Sequence, residues 1–229
     1  MDFEKILGDS FAYTKEAIAG KWMQWLLLVI ATILLCLPLF GYILKIFRGE
    51  KPAPEVADWG TLFVDGIKYA IVTLVWAIPL VILFFVLIGA AFLPFSSITS
   101  VSESDSQASS GNPAFILGAL GVYLVVVIIV GLLTVFFSTI GIIRFARTGS
   151  MGEAFNFREI SATIGKIGWG IYIISLVVLF VALIVVEIVI TILGMIPVLG
   201  IIIQLVFIAP VMIFEARYLC RVYDAAGAA

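Results

Sequence analysis

Residues 167–193 read IGWGIYIISLVVLFVALIVVEIVITIL, a run of 27 positions with a single charge, Glu187. A helix rises about 1.5 Å per residue, so about 20 apolar residues cross the roughly 30 Å hydrocarbon core of a bilayer. The run lacks the alternation of apolar and polar residues over about ten positions that marks a membrane β-barrel strand. It therefore predicts a transmembrane helix. Four further runs of similar character lie at approximately Trp22–Leu44, Ile67–Leu93, Pro113–Ile143 and Val198–Ala216. Over all 229 residues 63% are hydrophobic and 12% charged, with a mean hydropathy of +1.25. Soluble domains hold about 45–50% apolar and about 25% charged residues. The expectation is an all-α integral membrane protein: one membrane domain over 1–229, built as a bundle of about five transmembrane helices.

Lysine and arginine set the expected orientation, because short basic loops stay in the cytoplasm. Lys45, Arg48, Lys51 and Lys68 follow the first run, Arg144, Arg147, Arg158 and Lys166 follow the third, and Arg217 and Arg221 follow the last. These segments, the C-terminus among them, are expected on the cytoplasmic side of the cell membrane. Residues 94–112 form a Ser-rich outer loop, with Glu103 and Asp105 and no basic residue, and Gly194–Leu199 is an uncharged outer turn. The N-terminal side is balanced, since Lys5, Lys15 and Lys21 precede the first run. Five full crossings would place those lysines outside, whereas a bend at Pro38 and Gly41 would turn the first run into a re-entrant hairpin and leave four crossings. Asp2, Glu4, Asp9 and Glu16 argue against a cleaved signal peptide. Residues 1–21 read instead as an interfacial helix, with Phe3, Ile6, Leu7, Tyr13 and Ile18 on lipid.

The polar link Gly49–Ile71, GEKPAPEVADWGTLFVDGIKYAI, separates the first two runs. Pro52 and Pro54 stop the preceding helix. Trp59, Leu62, Phe63, Gly66 and Ile67 then recur at helical spacing opposite Asp58, Thr61, Asp65 and Lys68, which predicts an amphipathic cytoplasmic elbow helix with Trp59 and Phe63 at the headgroups. A second elbow is expected after the third run: Ser150 and Glu153 have capping-box spacing, and Phe157, Ile160, Ile164 and Ile167 form its apolar stripe. Gly41, Lys45, Arg48 and Gly49 are echoed by Gly141, Arg144, Arg147 and Gly149, and Gly66 by Gly165. Residues 22–93 and 113–193 thus read as a parallel internal repeat of span, basic exit, elbow and span, with 194–229 as a last span and cytoplasmic tail.

Gly41-Tyr42, the exit Lys45 and Arg48, then Gly49, Pro54, Asp58-Trp59, Leu62-Phe63, Asp65-Gly66 and Lys68 resemble the signature of multi-pass prokaryotic, often archaeal, membrane proteins grouped as domain of unknown function family 4013. The resemblance is specific over residues 41–68 and implies a multi-pass fold. It implies no activity for any residue.

Reactive chemistry is sparse. The chain has no histidine, and Cys36 and Cys220 are expected to be free thiols. No P-loop, dinucleotide fingerprint or nucleophile elbow is present, so no catalytic, cofactor-binding or metal residue is assigned and no cofactor is expected. A net charge of −2 provides no phosphate-binding face, which excludes nucleic acid as an expected partner. Asp58 and Asp65 read as a solvated helix face. The remaining constellation is Glu187 with Gln204. If the outer turn is tight, the two lie level in adjacent spans, either as a structural hydrogen bond or as a proton or cation site. The leading expectation is a non-enzymatic membrane protein that binds membrane lipids, other membrane proteins or further copies of itself. The alternative is a small oligomeric transporter or channel using Glu187.

Overall fold

A computed structural model describes residues 1–34, 36–98, 113–196 and 199–227, and holds no strand among them. Its helices are α1 (Phe3–Ile18), α2 (Trp22–Ile33), α3 (Leu37–Phe47), α4 (Trp59–Ile98), α5 (Pro113–Thr148), a 3-10 turn (Met151–Phe155), α6 (Phe157–Ile167), α7 (Trp169–Gly194) and α8 (Leu199–Asp224). Among the described residues four stretches are long and apolar enough to cross a membrane: Trp59–Gly89, Leu117–Thr148, Trp169–Gly194 and Gly200–Asp224. A fifth exists only if α1 and α2, bent by 98° at their junction, count as one broken span. The helix α4 runs on to Ile98, five residues into the segment expected as outer loop. Residues 99–112, the rest of that loop, lie outside the described residues.

The run 22–44 is not one continuous helix. It divides into α2, 12 residues, and α3, 11 residues, and helices of that length reach only about 16–18 Å. The break falls at 34–36, where Cys36 has φ +59, and not at Pro38 and Gly41. Pro38 sits in the first turn of α3, where a proline forfeits no helical hydrogen bond. The chain then doubles back, since Gln24 of α2 donates from Nε2 to the Pro54 carbonyl at 2.9 Å and to the Tyr42 hydroxyl at 3.4 Å. The first run thus folds back on itself within the first unit.

The contacts divide the chain into two compact units, residues 1–73 with 139–229, and residues 74–138. The first is assembled on α8, against which α1, α2, α3, α6 and α7 all pack. Its core holds Leu28, Leu39, Ile43, Ile213 and Tyr218. The helix α1 is not simply laid on lipid: Ile6, Ser10, Tyr13 and Ala17, spaced four, three and four apart, are buried, and Phe3, Leu7 and Ile18 are half-buried. Two glycines set the crossing of α3 and α4. A Cβ on Gly41 would overlap the Leu62 carbonyl, and one on Gly66 would overlap the Leu37 carbonyl. The contact is reciprocal, each glycine meeting a leucine that lies four residues from the other glycine.

The first elbow is not a separate helix but the opening turns of α4, begun at Asp58 with φ +53. Leu62 and Gly66 are buried, Trp59 and Phe63 half-buried, and Ile67 exposed. The second elbow is a helix of its own. Asn156 caps α6 by accepting from the Glu159 backbone N–H at 3.3 Å, and Gly168, at φ +93, ends it. Ile160, Ile164 and Ile167 are buried, but Phe157 remains 55% exposed. The expected capping box does not form. Ser150 makes no side-chain cap, and its carbonyl accepts from the Glu153 N–H in the 3-10 turn. Nor are Gly66 and Gly165 equivalent, because the nearest atom a Cβ on Gly165 would meet is Trp169 Nε1 at 4.0 Å.

In the second unit, Tyr123 of α5 donates its hydroxyl to the Leu83 carbonyl of α4 at 2.8 Å. A Cβ on Gly131 would approach the Leu80 side chain at 3.9 Å.

Candidate functional site

The first unit gathers the basic exits at one end. Arg147, at the end of α5, donates from Nε to the Phe47 carbonyl at 2.7 Å and from Nη2 to Asp224 at 2.7 Å and Cys220 Sγ at 3.1 Å. One side chain thus ties the ends of α3, α5 and α8. Gly49 makes room for it, since a Cβ there would lie 2.9 Å from Arg147 Nη1. The end of α3 is further fixed by Arg48, which meets Asp65 of α4 at 2.7 Å, with Lys68 4.0 Å from the same carboxylate. Asp65, expected on a solvated face, is therefore ion-paired and only 13% exposed.

Arg144 meets Glu153 at 2.5 Å and Glu159 at 3.8 Å, and donates to the Thr163 hydroxyl at 3.4 Å, which fastens α6 to α5. Hydrogen bonds from Arg144 and then Asn156 hold the Glu153 carboxyl below the usual glutamate range, against the opposing effect of desolvation.

The most enclosed pair is Arg217 with Asp9. Arg217 reaches the carboxylate at 2.9 Å with its side chain 2% exposed, and its guanidinium lies 4.6 Å from the Tyr13 ring centre. Tyr13 in turn donates to the Glu50 carbonyl at 3.0 Å. Arg221 Nε lies 3.4 Å from the same Asp9 oxygen, an ion pair without hydrogen-bond alignment. Removing the Asp9 carboxylate would strand the buried Arg217 charge, although Asp9 itself is 32% exposed and the pair is therefore worth less than a fully buried one. The bond between α1 and α8 is thus structural, and it also brings α1 to the end that carries the basic exits.

Among the described residues, one cleft at this end, about 460 Å³, lies between Lys45 and Arg48 at the exit of α3 and Gly60, Thr61 and Lys68 of α4. A second, about 250 Å³, is lined by Arg144, Lys166 and Asp224, and a third, about 170 Å³, by Asp9, Lys51 and Arg217.

The expected pair of Glu187 and Gln204 is not brought together. Both side chains are exposed on their helices, and no hydrogen bond joins them. Gly200 abuts the Gly194 carbonyl, and the Gln204 amide comes within 3.5 Å of where a Cβ on Gly194 would stand, so that amide turns toward the end of α7 and not toward Glu187. Sequence reading passed over Glu215, which is half-buried in α8 within the last apolar run. It was open to the rule that singled out Glu187, that a carboxyl group inside a span is costly. Cys36 and Cys220 are free, and among the described residues no acidic, cysteine or histidine cluster has the arrangement to hold a metal ion.

Four membrane-length helices among the described residues define a polytopic α-helical membrane protein. Residues 25–195 match the family described as protein of unknown function DUF4013, and the chain belongs to that family. The match covers α3 to α7 and leaves out α1 and α8, the helices joined by Asp9 and Arg217. No curated protein and no solved structure matches the chain.

Proposed function

We propose that the protein is a non-enzymatic, multi-pass protein of the cell membrane that binds lipid or a membrane partner and so organises other components. The observation that carries this reading is how little of each span the chain itself covers. In the most apolar 18-residue window of Leu117–Thr148 no residue is buried, and in that of Trp59–Gly89 only 11% are. The spans offer apolar outer surface, and the polar side chains at the basic end are largely engaged with one another. A transport path needs polar groups lining an enclosed route, and Glu187 sits on an outer face of α7.

In this reading the basic end faces the cytoplasm together with the C-terminus, and the two halves derive from a duplication. Gly41 and Gly141 support the duplication, since a Cβ on either would crowd the backbone carbonyl of a residue in the following elbow, Leu62 or Ala154.

Reconstitution into liposomes tests the reading against transport. The expected result is no proton or cation flux above that of empty vesicles, with lipid retained on the purified protein in native mass spectrometry. Flux that Glu187→Gln abolishes, in a protein of unchanged stability, would overturn it in favour of an oligomeric transporter.

A further inference from the structure

We propose that the cleft between the exit of α3 and the first turn of α4 binds the phosphate of an anionic phospholipid, with the acyl chains running down the exposed face of α4. The proposal rests on the lipid-binding reading above and names its site. Three cations, Lys45, Arg48 and Lys68, border the cleft against one carboxylate, Asp65, which leaves an excess of two positive charges. Asp65 is already engaged by Arg48 at 2.7 Å, while Lys68 stands 4.0 Å away and is 45% exposed. Lys45 and Lys68 therefore remain available to an incoming anion.

The helix adds to this field. The first N–H groups of a helix have no partner within it and carry the positive end of its dipole. Gly60 and Thr61, in the first turn of α4, both line the cleft, and nothing stands within 4 Å of where a Cβ on Gly60 would be, so the backbone there is open to approach.

Depth and surroundings select a lipid over a soluble anion. The helix α4 begins at Trp59 and carries its membrane-length apolar stretch onward from there, so the cleft lies at the polar end of that span. Val64 lines its edge, and Val64, Ile67 and Ile71 continue away from it, 52%, 46% and 47% exposed. Spaced three and four apart, they form one apolar stripe leading from the phosphate position into the hydrocarbon.

The test titrates the purified full-length protein in detergent with phosphatidylglycerol and, separately, with phosphatidylcholine. Bound lipid is read by native mass spectrometry and stabilisation by melting temperature. Expected are phosphatidylglycerol adducts and a raised melting temperature in wild type, both much reduced in Lys45→Gln/Lys68→Gln, with affinity weakened about thirtyfold if each cation contributes its usual surface share. Lys166→Gln, in the cleft beside Arg144, should retain wild-type binding. Equal phosphatidylglycerol binding by all three proteins would overturn the site while leaving the lipid-binding reading intact. Equal binding of the two lipids would overturn the phosphate selectivity. The same stabilisation from inorganic phosphate alone would make this a soluble-anion site and overturn the lipid assignment. Retention of neither lipid would overturn the site and the broader reading together.

Discussion

At the scale of single residues, the arginines are fasteners, and their partners decide what each holds. Charge counting identified them as cations beside spans, but the carboxylate each one takes depends on the fold. Asp9 and Arg217 are 208 positions apart, and no local spacing links them. Glu153 shows the opposite case, a partner nine positions from Arg144 whose S-x-x-E context suggested a cap; the arginine wins because a charge-assisted bond is stronger than a neutral one. A pH dependence follows. The native Glu153 carboxyl titrates below its usual value because Arg144 and Asn156 bond the charged form. The unfolded chain takes up its proton first as pH falls, so this contribution to stability is complete above the unfolded value of about 4.3 and is lost as pH drops through the native one. Glu153→Gln should therefore melt lower than wild type at pH 7, and the gap should close in acid below that window. Melting curves for both proteins from pH 7 to pH 3 check this, and a gap independent of pH would show that packing, not charge, is what Glu153 supplies.

At the scale of elements, apolar length was readable and helix breaks were not. The second to fifth runs each fall mainly in one long helix because they are predominantly apolar. In the run 22–44 composition is just as apolar, yet the chain turns at 34–36. Proline can kink a helix or begin one, and Pro38 begins α3, a choice fixed by Gln24 reaching Tyr42 and Pro54. Sequence also marked Gly41 and Gly66 without revealing that they face the same crossing. With backbone carbonyls where a methyl group would go, Gly41→Ala and Gly66→Ala must push α3 and α4 apart. Overpacking of this kind costs about 1–3 kcal/mol, which for a chain of this size lowers the melting temperature by about 2–12 °C. Gly165→Ala, in a helix with open space at that position, should hold or slightly raise it, since alanine favours a helix by up to about 1 kcal/mol over glycine. Equal losses at all three positions would show that the α3–α4 crossing does not depend on backbone contact.

At the scale of the whole molecule, the charge pattern grouped the basic exits and the C-terminal arginines on one side of the membrane. The geometry brings them together, as Arg147 joins Phe47 and Asp224 while Arg48 joins Asp65. Where α1 belongs was not legible, because three lysines before the first run nearly balance the cations after it. Asp9 to Arg217 and Tyr13 to Glu50 put α1 at that same end, so a chain that keeps these contacts in the membrane is expected to return its first run to the side it entered from. Four crossings then leave both termini on one side, and five would separate them. Single cysteines in a protein lacking Cys36 and Cys220, placed at the exposed positions Lys15, Glu55 and Arg158, distinguish the two. In intact cells all three should resist an impermeant maleimide, and all three should react once the membrane is opened, since basic segments remain in the cytoplasm. Labelling of all three from outside would keep the four-crossing fold and reverse its orientation. Labelling at Lys15 from outside, with Glu55 and Arg158 protected, would mean that α1 and α2 together cross as a broken span, and that the contact of Asp9 with Arg217 does not exist in the membrane.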